Sequence, residues 1–64
     1  MKKIQAEIKK HDLLLETWWS PAVEMFYVNV REQRYQNDDG WTGSGAELED
    51  AMRGAIDLYK KDHA

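Results

Sequence analysis

Residues 40 to 45 read GWTGSG and run straight into AELEDAMRGAIDLYKK. Clustered glycines ahead of a helix are the raw material of a phosphate-binding loop, where backbone N–H groups cradle the anion. In the pattern G-x-x-x-x-G-K-[ST], Gly40 and Gly45 have the right separation. Ala46 and Glu47 then stand where the lysine and the hydroxyl residue belong, and a glutamate there repels phosphate. In G-x-G-x-x-G, Gly43 and Gly45 fit, but Leu48 occupies the third glycine position. Asp38, Asp39, Glu47, Glu49, Asp50 and Asp57 add negative charge around the run. The glycines are therefore expected to shape the chain. Gly40 closes a polar turn, Gly43 and Gly45 let the backbone swing from sheet to helix, and Ser44 caps that helix.

Other reactive residue types are sparse. His11 stands beside Asp12, with Glu7 and Glu16 nearby in sequence, and a histidine held by a carboxylate can act as a base. No cysteine is present, Ser20 and Ser44 are accounted for by a turn and a cap, and a solvated turn histidine is the expected role of His11. Asp38, Asp39 and Asp50 lack the D-x-[DN]-x-[DN]-G spacing of a calcium loop. Two histidines and no thiol leave no basis for a zinc site. The expectation is a non-enzymatic chain with no cofactor and no metal.

The aromatic residues carry more information. Three Trp, three Tyr and one Phe are many for 64 residues. Trp19, Phe26 and Tyr59 are assigned to the core by pattern. Trp18, Tyr27, Tyr35 and Trp41 have weaker claims to burial, and exposed Trp, Tyr and Arg are the residues that dominate binding at protein interfaces. Arg31 stands beside Tyr27 in this reading. The candidate partner-binding residues are Trp18, Met25, Tyr27, Arg31, Tyr35 and Trp41, with the acidic Asp38, Asp39, Glu49 and Asp50.

The length bounds all of this to one small α+β domain spanning residues 1 to 64. Such a domain has a core worth roughly 3–5 kcal/mol. The net charge is -3, with Lys2, Lys3, Lys9 and Lys10 at one end and the acids of 38 to 57 at the other. That balance suits a partner with a basic surface better than a nucleic acid. There is no apolar signal region after MKK and no membrane-length apolar run, so a cytoplasmic location is expected.

Four elements must position the candidates. Leu48, Met52, Ala55, Ile56 and Tyr59 form a helical stripe, and Ser44-x-x-Glu47 matches a capping box, predicting a helix over 45–61. LLLETWW and VEMFYVNVR predict a hairpin about SPAV, pairing Trp19 with Glu24 and Leu15 with Val28. One face then carries Leu13, Leu15, Trp19, Phe26, Val28 and Val30. The other carries Leu14, Glu16, Trp18, Met25, Tyr27 and Asn29. Ile4, Ala6 and Ile8 alternate as in a strand, whereas Ile4 and Ile8 also fit a helix of good helix formers running from Lys2 to Trp19. The preferred architecture is a three-stranded antiparallel sheet, with room for a short fourth strand, and a C-terminal helix on one face. The alternative is an N-terminal helix, a hairpin and a C-terminal helix.

The segment from FYVNV through GWTGSG to LEDAMRGAI resembles the strand-to-helix half of HicB-type antitoxins, and many small bacteriophage accessory proteins look similar. In that family the helix usually opens Thr-Leu-Glu-Glu-Ala; here the residues are Glu47, Leu48, Glu49, Asp50 and Ala51. The resemblance implies a helix packed on an antiparallel sheet and work done by binding a protein. The expected function is thus a small inhibitor or accessory factor of phage or mobile-element type, acting on a host protein in the host cytoplasm, with anti-defence inhibition one form of it. A homodimer through the Trp18, Met25 and Tyr27 face fits equally. The alternative function is a nucleic-acid-binding module using Lys2, Lys3, Lys9, Lys10, Arg31 and Arg34 with Trp18 and Tyr27.

Overall fold

The computed structural model describes residues 2–35 and 39–63. Asn37 and Asp38, expected in a turn, lie outside the described residues. The order is helix α1 (Lys2–His11), strands β1 (Leu13–Ser20) and β2 (Met25–Glu32), a 3-10 turn (Gln33–Tyr35), strand β3 (Trp41–Gly45) and helix α2 (Leu48–Asp62). The class is α+β, and the strands form one antiparallel sheet in the order β1-β2-β3.

The N-terminal segment is a helix, so the preferred strand reading of residues 4 to 8 is corrected to the alternative. Helical spacing puts Ile4 in the core and Ile8 against it, whereas Ala6 is exposed. Lys9, Lys10 and His11 in the last turn complement the helix dipole. The helix stops at His11, well short of Trp19, because Asp12 turns left-handed with φ 52°. Aspartate tolerates that region better than most residues.

The hairpin forms with its register moved. Trp19 pairs with Phe26, Leu15 with Val30 and Thr17 with Val28. Val23 and Glu24 belong to the turn rather than to β2, and Glu24 sits at φ 52°. The change moves each partner by two residues, so every side chain stays on the face predicted for it. A shift by one would have exchanged the faces.

GWTGSG is where the sequence reading departs furthest from the fold. Residues 41–45 are a strand: Trp41 pairs with Val30, Gly43 with Val28 and Ser44 with Tyr27. Ser44 is occupied by the ladder, so the capping box does not form. Helix α2 begins at Leu48 after an extended Glu47 that makes no side-chain cap. Gly43 and Gly45 act as a track for α2. A Cβ on Gly43 would overlap the Ala51 carbonyl oxygen and the Ala55 nitrogen, and one on Gly45 would lie 2.9 Å from Asp50 Cβ. Gly54 faces this strand from the helix side, where an added Cβ would meet the Gly43 Cα at 3.7 Å, an ordinary contact. Only Gly40, at φ 75°, uses the left-handed backbone region that glycine favours.

The core lies between the sheet and the two helices: Ile4, Leu13, Val28, Val30, Ala51, Ala55, Ile56 and Tyr59. Leu15, Phe26, Trp41 and Met52 pack around it. Trp19, expected inside, is 47% exposed. It stands next to the hairpin turn and rests on Phe26, with ring centroids 4.8 Å apart. Both helices contribute to this one core, which leaves the opposite face of the sheet bare.

Candidate functional site

The bare face divides into two halves. Toward the hairpin turn, Trp18 and Tyr27 are cross-strand partners. Their rings stack 5.5 Å apart and 10° from parallel. Trp18 is 47% exposed, and Met25, paired with Ser20, lies partly exposed beside it. Opposite aromatic residues in a sheet hold one another rigid, so the pair presents a preformed apolar platform.

Toward the other end the face is polar and internally bonded. Asn29 is buried and its Nδ2 donates to the Asp39 carbonyl (2.8 Å) and to Thr42 Oγ1 (2.9 Å). Its Oδ1 accepts from Arg31 Nη1 at 2.9 Å, and Arg31 Nη2 is bound by Glu16. Arg31 therefore shares a face with Tyr27, as expected, but its guanidinium is committed to Glu16 and Asn29. Asn29 also ties the residues after the 36–38 segment to the sheet.

The remaining candidates are dispersed. Glu49 and Asp50 lie in the first turn of α2, on the helix side, where both hold Arg53. Tyr35 is 55% exposed in the 3-10 turn, with the Arg34 guanidinium carbon 5.8 Å from its ring centre. Asp39 touches the platform side only through its main chain. Asp38 is outside the described residues. The structure thus brings together Trp18, Met25 and Tyr27, with Arg31 adjacent, and separates them from Glu49 and Asp50.

Trp41 lies on the helix side and closes one end of the core. Its indole Nε1 donates to Asp62 Oδ2 at 2.5 Å, and its ring meets Tyr59 edge-on at 5.1 Å. The neighbouring group was not singled out from sequence. Tyr59 Oη donates to Glu32 Oε1 (2.6 Å), His63 Nε2 is 3.6 Å from the same oxygen, and Arg34 Nε is 3.4 Å from Oε2. His63 Nδ1 is 2.8 Å from the Tyr59 carbonyl, which can only accept, so Nδ1 carries a proton. Burial, then the hydrogen bond and the charge of Glu32, push the Tyr59 phenol up to about 12. His11 is no solvated turn residue: it ends α1 with Nε2 3.2 Å from Glu7 and its ring edge-on to Tyr59 at 5.2 Å. The signal that could have found this cluster was the i,i+4 spacing of Tyr59 and His63 at the end of the helical stripe.

Arg31, Glu32, Tyr35, Trp41 and His63 line a depression of about 170 Å³ beside this cluster. Small-molecule pockets are typically about 300–1,000 Å³. The depression has room for one side chain; Glu32, Trp41 and His63 around it are paired with neighbours, while Arg31 Nε is buried without a partner. Among the described residues, no group of three or more His, Asp or Glu is arranged to hold a metal ion, and no helix is long and apolar enough to cross a membrane.

The four lysines do not form one surface with the platform. Lys2, Lys3, Lys9 and Lys10 belong to α1, on the helix side, while Trp18 and Tyr27 lie on the bare face. No family model, curated protein or solved structure matches this chain.

Proposed function

We propose that this chain is a non-enzymatic accessory factor that binds a protein, using the bare sheet face. The observation that carries the reading is the stacked Trp18–Tyr27 pair, rigid and half exposed, on a face that neither helix covers. Rigid exposed aromatics lose little conformational freedom on docking and are common interface anchors. Met25 extends the platform, and the Glu16–Arg31–Asn29 network borders it, with the two Arg31 Nη groups paired and Nε buried without a partner. The acidic balance of the chain favours a partner with a basic surface. Within this reading the specific form is an inhibitor of phage or mobile-element type that occludes a host protein in the cytoplasm. The small size and the resemblance of FYVNV through LEDAMRGAI to HicB-type antitoxins support that form.

The test is partner capture from a host lysate with the wild-type chain, Trp18→Ala, Tyr27→Ala and a Tyr35→Ala control. A photo-crosslinker at position 25 identifies what touches the platform. Capture lost in the first two variants and kept in the control is the expected result. Equal capture by all four proteins, or crosslinks found only from the helix side, sinks the reading. A salt titration against single- and double-stranded oligonucleotides separates it from nucleic-acid binding, which weakens steeply as salt rises.

A further inference from the structure

Strand β1 pairs with β2 along its whole length of 8 residues, and the sheet order leaves its other side without a strand among the described residues. A free edge is a row of unpaired backbone donors and acceptors. Soluble proteins usually blunt such an edge with lysine, proline, a bulge or a very short strand. LLLETWWS contains no lysine, proline or glycine, and its pairing with β2 runs without a bulge. Its one charge, Glu16, is held by Arg31. The Leu13 end is covered, whereas Glu16 to Trp19 are exposed. The uncovered half therefore carries a tryptophan on each face of the sheet.

We propose that this edge is completed by β1 of a second copy, antiparallel, about a two-fold axis at Thr17. An identical strand supplies an edge of equal length, and two-fold pairing uses the β1 edge of both copies, so neither β1 edge is left to recruit a third. The axis stands perpendicular to the sheet, so the helix-bearing faces of both copies fall on one side and odd positions meet odd positions. That restricts the axis to single residues. An axis at Glu16 sets this carboxylate opposite its own copy, which is unfavourable. One at Leu15 uses the covered end and leaves both tryptophans unpaired. One at Trp18 joins only Glu16 to Ser20. The axis at Thr17 pairs Leu15 with the partner's Trp19, Glu16 with the partner's Trp18, and Leu14 with the partner's Ser20. Each Trp19 gains an aliphatic neighbour, and no charge meets its like. The two bare faces then join into one surface carrying both Trp18–Tyr27 pairs. The proposal rests on the strand edge and holds whether or not a protein partner is found.

The experiment is sedimentation of the full chain across the micromolar range, where the expected mass is twice 7.5 kDa. Because the chain has no cysteine, a single introduced thiol reports the register. Thr17→Cys should oxidise to a covalent dimer, since residues opposite one another in antiparallel strands have Cβ atoms about 4.5–5.5 Å apart, close to disulfide range. Val23→Cys should not. Trp18→Glu faces the partner's Glu16 in both halves of the dimer, and Trp18→Lys faces it with opposite charge. Both lose the Tyr27 stack, so their difference isolates the contact between copies. Trp18→Glu should dissociate about tenfold more readily than Trp18→Lys. A 7.5 kDa mass at every concentration overturns the proposal. So does a dimer in which Thr17→Cys fails to cross-link, or one indifferent to the sign of the charge at position 18.

Discussion

The two faces of the sheet are built on opposite plans. The covered face meets α2 through small residues: Gly43 and Gly45 on the strand, Ala51, Gly54 and Ala55 on the helix. The bare face carries large ones, Trp18, Tyr27, Met25 and Arg31. In this chain residue size is a poor guide to the centre of the fold. Val28, Val30, Ala51 and Ala55 have no exposure, while two of the three tryptophans are 47% exposed. Where backbones approach this closely, stability rests on the absence of side-chain atoms. Where the face is left open, large side chains stand exposed.

This contrast sets the expected mutational effects. Gly43→Val should be the most damaging substitution, because the new atoms overlap α2 backbone that can move only as a whole. Overpacking costs about 1–3 kcal/mol and sometimes more, against a total of roughly 3–5 kcal/mol for a domain of this size. Thermal unfolding followed by circular dichroism should show little folded protein at 37 °C. A near-native melt would mean that strand and helix are less closely packed than described. Asn29→Ala comes next, since it removes two donated bonds and the acceptor for Arg31 at a buried position. About 1–3 kcal/mol should be lost in urea unfolding. A loss below half that would show that water satisfies the groups left behind.

The burial of the Tyr59 phenol, together with its bond to Glu32, should appear as an alkaline instability. An unfolded tyrosine titrates near pH 10, and the folded one near 12. The native state therefore holds this proton more tightly. Its contribution is complete below pH 10 and is lost as the pH rises from about 10 through 12. Melting temperatures from pH 8 to 12 should fall for the wild type more steeply than for Tyr59→Phe. Parallel slopes would show that the Tyr59 phenol is not held protonated by its surroundings. Trp18→Ala should have the smallest effect on the fold of a single copy, about 0.5–1.5 kcal/mol from the lost stack. Loss of partner capture in a protein with a near-wild-type melt would sharpen the contrast between the faces. A collapse in stability comparable to Gly43→Val would break it.

Much of the architecture was legible in the sequence. The period of Leu48, Met52, Ile56 and Tyr59 identified α2, and the β-branched and aromatic residues of LLLETWW and VEMFYVNVR about SPAV identified the two main strands and their faces. Parity is what survived the misplaced turn: the register moved by two residues, and face assignments depend only on odd and even. GWTGSG was misread because its glycines satisfy two physical needs that look alike in sequence. Glycine permits unusual dihedrals, and it permits close approach; only the structure shows that Gly43 and Gly45 serve the second. The N-terminal segment was ambiguous because Ile4 and Ile8 fit both periods, and only packing in the core decides between them. At the candidate site, Trp18, Met25 and Tyr27 followed from strand parity. The commitment of Arg31 to Glu16, and the gathering of Glu32, Tyr59 and His63, depend on contacts between distant segments. No local pattern encodes those.

The close contact between β3 and α2 also bears on how the chain folds. The two elements that touch backbone to backbone are separated by only Ala46 and Glu47. Bringing them together therefore costs little loop-closure entropy, whereas docking α1 on α2 must close nearly the whole chain. Residues 41–62 form the local nucleus this topology favours, with the β1–β2 hairpin docking onto it through Val28 and Val30. Milder substitutions on the glycine track, such as Gly45→Ala, should then slow folding more than they speed unfolding, and changes at Ile4 should do the reverse.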